Sequence, residues 1–217
     1  MANRKDSGRI GSNYIMINTT VTTPPAIESI TLVIAKQHCR VYHTLDDGTF
    51  GTGSVGSGLI SAAREMIESE IRGPIINTGY TTVFSEFPAG RELLLPRSPL
   101  VSVASVTYVN SAGTTVTLSS STDYMVKSYN GMARVILRDT ASWPGDLHVG
   151  PEGVVTVVYT AGYGTTAAEI PVSLRHAQLL QIATLYEFRS TLSPGTITLV
   201  PEVIKRLVSQ FSNGNYV

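Results

Sequence analysis

The spacing of apolar residues changes twice along this chain, and that change limits the folds open to it more than any other feature. Between residues 30 and 73 apolar positions recur at helical spacing. Between residues 75 and 163 they fall into short runs rich in Val, Thr and Tyr, broken by turn residues, and after residue 165 the helical spacing returns. Short strands enclosed by helices predict an α+β fold: a small bundle of three to four helices with an inserted antiparallel β unit. At 217 residues the chain is long enough for one elaborated domain or two small ones. The expected divisions are an extended N-terminal arm over 1–29, a helical part over 30–73, the β unit over 74–164, and a second helical part with a C-terminal segment over 165–217.

The arm mixes Ser, Asn and Thr and ends in Thr23, Pro24 and Pro25, whose fixed dihedrals favour an extended path. It is expected to order only against a neighbour. Thr31 is the natural N-cap of a short helix over 31–41, with Leu32, Ala35 and Cys39 on one face. A second helix over 59–72 places Leu59, Ile60, Ala63, Met66, Ile67 and Ile71 on the apolar side and Arg64, Glu65, Glu68 and Arg72 opposite, with Glu68 and Arg72 spaced as a helical ion pair. Gly73 and Pro74 end it. A long helix follows Pro171 and runs to about residue 189; Arg175, Gln178, Gln181, Thr184 and Glu187 recur every three positions, so the polar line winds around it. Such a helix either lies at the centre of its own domain or meets neighbouring subunits at different heights, and the second reading makes Arg175, Gln178 and Gln181 inter-subunit residues. A last amphipathic helix opens at Pro201 with Val203, Ile204, Leu207, Val208 and Phe211.

Within the β block, Asn130 and Gly131 predict a two-residue hairpin turn. The register sets Tyr129 opposite Met132, Val126 opposite Val135 and Tyr124 opposite Leu137, which we read as one apolar face. It also sets Lys127 against Arg134, a like-charge pair that needs an acid or water nearby. A turn at 110–113 joins strands over 101–109 and 114–118, and residues 154–159 read as a strand buried on both faces.

Sixteen basic and sixteen acidic residues cancel, so the chain lacks the basic footprint of a nucleic-acid binder. Only 15% of residues are charged, against about 25% in ordinary soluble domains, which suits a surface largely covered by partners. One cysteine, Cys39, leaves no disulfide framework and no multi-cysteine zinc site. The polar first nine residues lead into no apolar run, and no stretch nears eighteen apolar residues, so neither a signal peptide nor a membrane span is expected.

Candidate chemistry is thin. Gly51, Gly53 and Gly56 spell G-x-G-x-x-G, but a dinucleotide loop follows a strand inside a βαβ unit, and here a short helix and Asp46-Asp47-Gly48 precede it. His38, Cys39 and His43 are close in sequence, yet the two histidines differ by five positions, and Cys39 shares a face with Leu32 and Ala35 as a small core residue would. Asp139 and His148 join to no particular serine, no serine sits in a nucleophile elbow, and the pairs Asp46 with Asp47 and Glu65 with Glu68 read as loop and solvated helix face. Trp143-Pro144 reads as a packing plug. No catalytic, cofactor or metal residue is assigned, and no enzymatic activity is expected.

The order of parts, together with Leu94-Leu95-Pro96-Arg97-Ser98-Pro99-Leu100, Ala161-Gly162-Tyr163-Gly164 and Tyr186-Glu187-Phe188-Arg189, resembles the head-tail connector adaptors of tailed bacteriophages over about residues 30–211. The resemblance implies a non-enzymatic ring, generally of about twelve subunits, made in the host cytoplasm and placed in the virion neck. Such a ring docks on the portal protein and extends the DNA channel toward the stopper and tail, with no membrane partner. The genome passes without tight binding, which suits a neutral chain. The C-terminal segment commonly reaches into the portal, which nominates Val203, Leu207, Phe211 and Tyr216 as portal-binding residues. The alternatives are another neck or tail-completion protein or, from a different class, a β-rich ligand-binding module.

Overall fold

A computed structural model describes residues 16–51, 55–129, 132–150, 153–188 and 199–212. The fold is α+β, with five α-helices and two antiparallel sheets among the described residues. The chain divides into two compact units: residues 79–160 with the segment before residue 23 form one, and residues 23–78 with 161–213 form the other.

The β unit holds both sheets. Five strands, β1 (Met16–Thr23), β2 (Thr78–Phe84), β4 (Leu100–Val109), β5 (Thr115–Thr117) and β8 (Val155–Ala161), line up in the order β1-β2-β8-β4-β5. The remaining three, β3 (Glu92–Leu95), β6 (Tyr124–Tyr129) and β7 (Met132–Leu137), form a sheet in the order β3-β7-β6. The hairpin register is the expected one, with Tyr124 opposite Leu137, Val126 opposite Val135 and Tyr129 opposite Met132. The turn residues Asn130 and Gly131 lie outside the described residues. The single apolar face needs correction. Side chains alternate along a strand, so Tyr129 cannot share the face of Tyr124 and Val126, and it is exposed while Ala133, Val135 and Leu137 are buried. Lys127 does face Arg134, and Glu92 on the far side of β7 supplies the acid by pairing with Arg134.

At the 110–113 turn the Asn110 side-chain oxygen accepts from the backbone N–H groups of Ala112 and Thr114, and Gly113 takes the left-handed conformation at φ 78°. β8 alternates, with Val155, Val157, Tyr159 and Ala161 buried and the residues between them half covered, so only one of its faces is fully buried. Part of the expected arm is a strand: β1 joins β2, with the Thr19 and Thr82 hydroxyls 2.9 Å apart and the Thr20 hydroxyl donating to the Thr81 carbonyl. Its run of β-branched residues finds a pairing edge within the chain itself. Trp143 is the expected plug: it stacks on Phe87 at 4.7 Å and donates from Nε1 to the Gly90 carbonyl.

The helical unit is built on α3 (Gly58–Ile71) and α4 (Val172–Glu187), with α1 (Leu32–His38), the single turn α2 (Asp47–Phe50) and α5 (Leu199–Val208) packed around them. The Thr31 hydroxyl caps α1 by accepting from Ile34 N–H, as its position predicts. α5 starts two residues before Pro201. Two apolar clusters lie at successive levels along α3 and α4. Ile60 and Ala63 meet Ile30, Ala35, Val41, Phe50 and Ile182 at one level; Ile67 and Ile71 meet Leu174, Ala177, Ile204 and Val208 at the other.

α3 departs from the expected pattern at several residues; Met66, placed on the apolar side, is 49% exposed. Arg64, placed on the wet side by periodicity, is buried, and Glu68, spaced for Arg72, pairs with Arg64. Arg72 is the left-handed cap at φ 57°, outside the helix, while Glu68 turns back to Arg64 at 2.7 Å and accepts from the Ile75 N–H at 2.8 Å. A donor and a cation that burial would otherwise leave unpaired draw the carboxylate inward.

Candidate functional site

The glycine-rich loop is the first candidate, and its donors at Gly56 and Ser57 are already used. The N–H groups of Gly56 and Ser57 donate to the Ser61 hydroxyl at 2.9 and 3.0 Å, and that hydroxyl donates to Glu28 at 2.7 Å. Glu28 and Glu68 flank Arg64, at 2.9 and 2.7 Å. Burial works against the charge on Arg64, but Glu68, Glu28 and Glu65 outweigh it and hold the guanidinium above its ordinary value. At Gly56 and Ser57 the loop is thus tied through the Ser61 hydroxyl to an internal carboxylate. Gly51 and Gly58 are there for close approach: a Cβ on Gly51 would sit 2.4 Å from the Ser57 carbonyl oxygen, and one on Gly58 2.4 Å from the Gly51 nitrogen. Gly53 lies outside the described residues.

The other candidate groups do not converge. His38 meets His176 edge-on with ring centroids 6.5 Å apart, while His43 turns toward Asp46 at 3.9 Å. Burial and then the charge of Glu187 raise the Cys39 thiol, which keeps it protonated and a poor nucleophile. Cys39 packs against the first apolar cluster, the core role its spacing suggests. Asp139 stands 3.8 Å from Arg91, and His148 lines a shallow groove with Val109, Gly113 and Val154. Among the described residues, no group of three or more His, Cys, Asp or Glu side chains could hold a metal ion, and no helix is long and apolar enough to cross a membrane.

The residues expected at subunit contacts separate into distinct environments. Gln178 is 1% exposed and accepts from the Ser29 hydroxyl inside its own unit, so it cannot face another subunit. Arg175 and Gln181 are half-buried, and Gln181 donates to the Met66 sulfur at 3.4 Å. Farther along, the Tyr186 hydroxyl reaches Asp46 at 2.5 Å. The polar line of α4 thus winds because different elements of the same unit meet it at different heights, as a central helix requires.

On the C-terminal segment, α5 turns Ile204 and Val208 inward, and Leu207 and Phe211 pack on the same cluster, Phe211 edge-on to Tyr163 at 5.8 Å. Of the four residues nominated for the portal, Val203 is 47% exposed, Leu207 and Phe211 are partly buried against the chain's own core, and Tyr216 lies outside the described residues.

An apolar surface that sequence reasoning missed lies on α1 and the connection to α2. Val33 and Ile34 point away from the cluster that takes Ala35, and Tyr42 and Leu45 are 85% and 89% exposed. The signal was present as apolar residues at 33 and 34, out of phase with the face formed by 32, 35 and 39.

Among the described residues the candidate groups of this chain stay apart, and its exposed apolar side chains include Tyr42 and Leu45. No family model matches it, and neither does any curated protein. Its α+β architecture is shared with solved chains from particle necks. A chain from the neck of an empty gene transfer agent particle, computed with C6 symmetry, superposes with a TM-score of 0.70 at 21% identity, covering 88% of this chain and 95% of that one. A chain of the native gene transfer agent virion gives 0.66 at 22% identity, covering 88% and 95%. One from the neck of the native particle, computed with C12 symmetry, gives 0.57 at 22%, covering 77% and 92%. At these identities the likeness is one of fold.

Proposed function

We propose that this chain is a structural component of the neck of a phage-like particle, and more finely the head-tail adaptor, a ring of its own copies that docks on the portal and carries the DNA channel toward the stopper and tail. The observation that carries the reading is the fold shared over 88% of the chain with a protein from a particle neck. The C6 and C12 symmetries of the assemblies containing those similar chains support a ring. The 15% charged fraction and the balanced charge fit a subunit covered by partners around a channel that must not hold DNA. In this reading the exposed side of α5 around Val203 and the chain end that includes Tyr216 meet the portal, while Leu207 and Phe211 hold the segment to the subunit.

Native mass spectrometry of the protein mixed with portal rings encoded by the same genome tests this. About twelve copies per portal are expected, and the complex is expected to fail for a chain ending at Ser212, which keeps Phe211 on the core and removes Tyr216. No complex with the full chain would move the protein to a later neck position or out of the particle. Undiminished docking by the shortened chain would relocate the portal contact.

A further inference from the structure

We infer that the apolar surface of Val33, Ile34, Tyr42 and Leu45 is the contact between adjacent copies of this chain. The inference rests on the ring reading above and adds the surface that closes the ring. All four side chains lie within residues 33–45, and the helix among them, seven residues long, spans only about 10 Å. Their summed exposure is on the order of 500 Å², more than half of what one partner gives to a standard interface.

The loop that carries Tyr42 and Leu45 is fixed on both sides. Val41 and Phe50 are buried in the same cluster, Lys36 grips Asp47 at 2.5 Å, and Tyr186 holds Asp46 while stacking on Phe50 at 4.8 Å. A solvent-directed Tyr and Leu on a braced loop lose little freedom when they are covered, as interface anchors should. Lys36 is paired with Asp47, while Arg40 is exposed between Ile34 and Tyr42, so the covering surface must leave that guanidinium in water or offer it an acceptor.

Two observations favour a second copy as the occupant. The similar folds come from assemblies computed with C6 and C12 symmetry, in which copies of a chain repeat around one axis. A closed ring of more than two copies also needs two unlike faces on each subunit, whereas a two-fold dimer needs one. The patch sits at the level of Ile182 and Tyr186, toward the C-terminal end of α4. Val172, 70% exposed, opens the same helix fourteen residues earlier, about 21 Å along its axis. The helical unit therefore presents exposed apolar side chains at both ends of one central helix, the arrangement head-to-tail closure uses.

The test compares the parent with the variant Tyr42→Ser/Leu45→Ser, alone by sedimentation and with portal rings by native mass spectrometry. Both side chains face solvent, so the variant is expected to melt within about 2 °C of the parent. The apparent affinity of the multi-copy complex is expected to fall at least about tenfold. Equal assembly by parent and variant overturns the inference and leaves the ring reading intact. A parent that stays monomeric both alone and on the portal overturns both. If the variant fails to fold, a benzophenone amino acid in place of Tyr42 in the assembled complex decides the matter. A photo-crosslink to a peptide of a second copy supports the contact, and a crosslink only to another protein, or none, overturns it.

Discussion

Arg64 joins two carboxylates, Glu28 and Glu68, in surroundings that leave its side chain only 6% exposed. Three charges that share their hydrogen bonds so closely are costly to separate. Replacing Arg64 with Met leaves both carboxylates without their counter-charge, and urea unfolding is expected to show a loss of about 3–5 kcal/mol, the range for breaking one side of a buried pair. Glu169 is a different case, an exposed carboxylate whose Oε2 accepts from the N–H groups of Thr166 and Thr165 at 3.0 and 2.6 Å. Those bonds favour the charged form and hold its carboxyl below the usual range. A depressed acid stabilises the fold above its unfolded value and stops doing so as pH falls through its folded value. The Thr165 and Thr166 amide resonances should therefore move with a midpoint below the ordinary glutamate value, and Glu169→Gln should abolish that titration. A midpoint at or above the ordinary value would contradict the geometry. The Ala-Gly-Tyr-Gly run next to this loop is explained at the same scale. Gly162 adopts φ 145° where a Cβ would meet the Asn77 backbone at 2.6 Å, and Gly164 leaves the room that Glu169 fills.

At the scale of elements, local chemistry was readable where it alone decides the outcome. Thr31 caps α1 because a hydroxyl before an apolar run satisfies an N–H that no helical carbonyl can reach. Thr31→Ala should cost about 1 kcal/mol, read as a lowered urea midpoint with unchanged slope. A change in slope would mean that the substitution alters more than the cap. The hairpin register followed from a two-residue turn for the same reason, since strand pairing next to a turn is fixed by the turn. What escaped the sequence depends on distant partners. Glu68 is spaced for Arg72, yet a buried donor at Ile75 and the Arg64 cation redirect it. Gln178 has the period of a wet residue, but Ser29 reaches it across 149 positions of chain. β1 resembled a free arm because its pairing edge on β2 begins more than fifty residues later. The candidate surface was partly visible, as Val33 and Ile34 out of phase. Tyr42 and Leu45 gave no signal, because their exposure follows from how Val41, Asp46 and Phe50 are held.

For the whole molecule, the balance of sixteen cations against sixteen anions bears on what the ring proposed above would do with a genome. A protein that neutralises phosphates with Lys and Arg releases counterions, so its affinity falls as roughly the 0.9 power of salt for each phosphate contacted. A conduit built that way would hold the DNA it must pass. With a net charge of zero on each subunit, copies arranged in a ring add no net attraction, however many there are. Fluorescence anisotropy with a labelled duplex is expected to give no binding tighter than about 100 µM near physiological salt, the weak end of non-specific association. Between about 50 and 200 mM salt, any residual binding should change far less than the thousandfold shown by proteins with six or more phosphate contacts. The measurement is best made on the assembled ring, since assembly could bring like charges together at one face. A steep salt slope there would mean that the basic residues line the channel and the acidic ones face outward, and the neck would then grip the genome where a neutral conduit lets it slide.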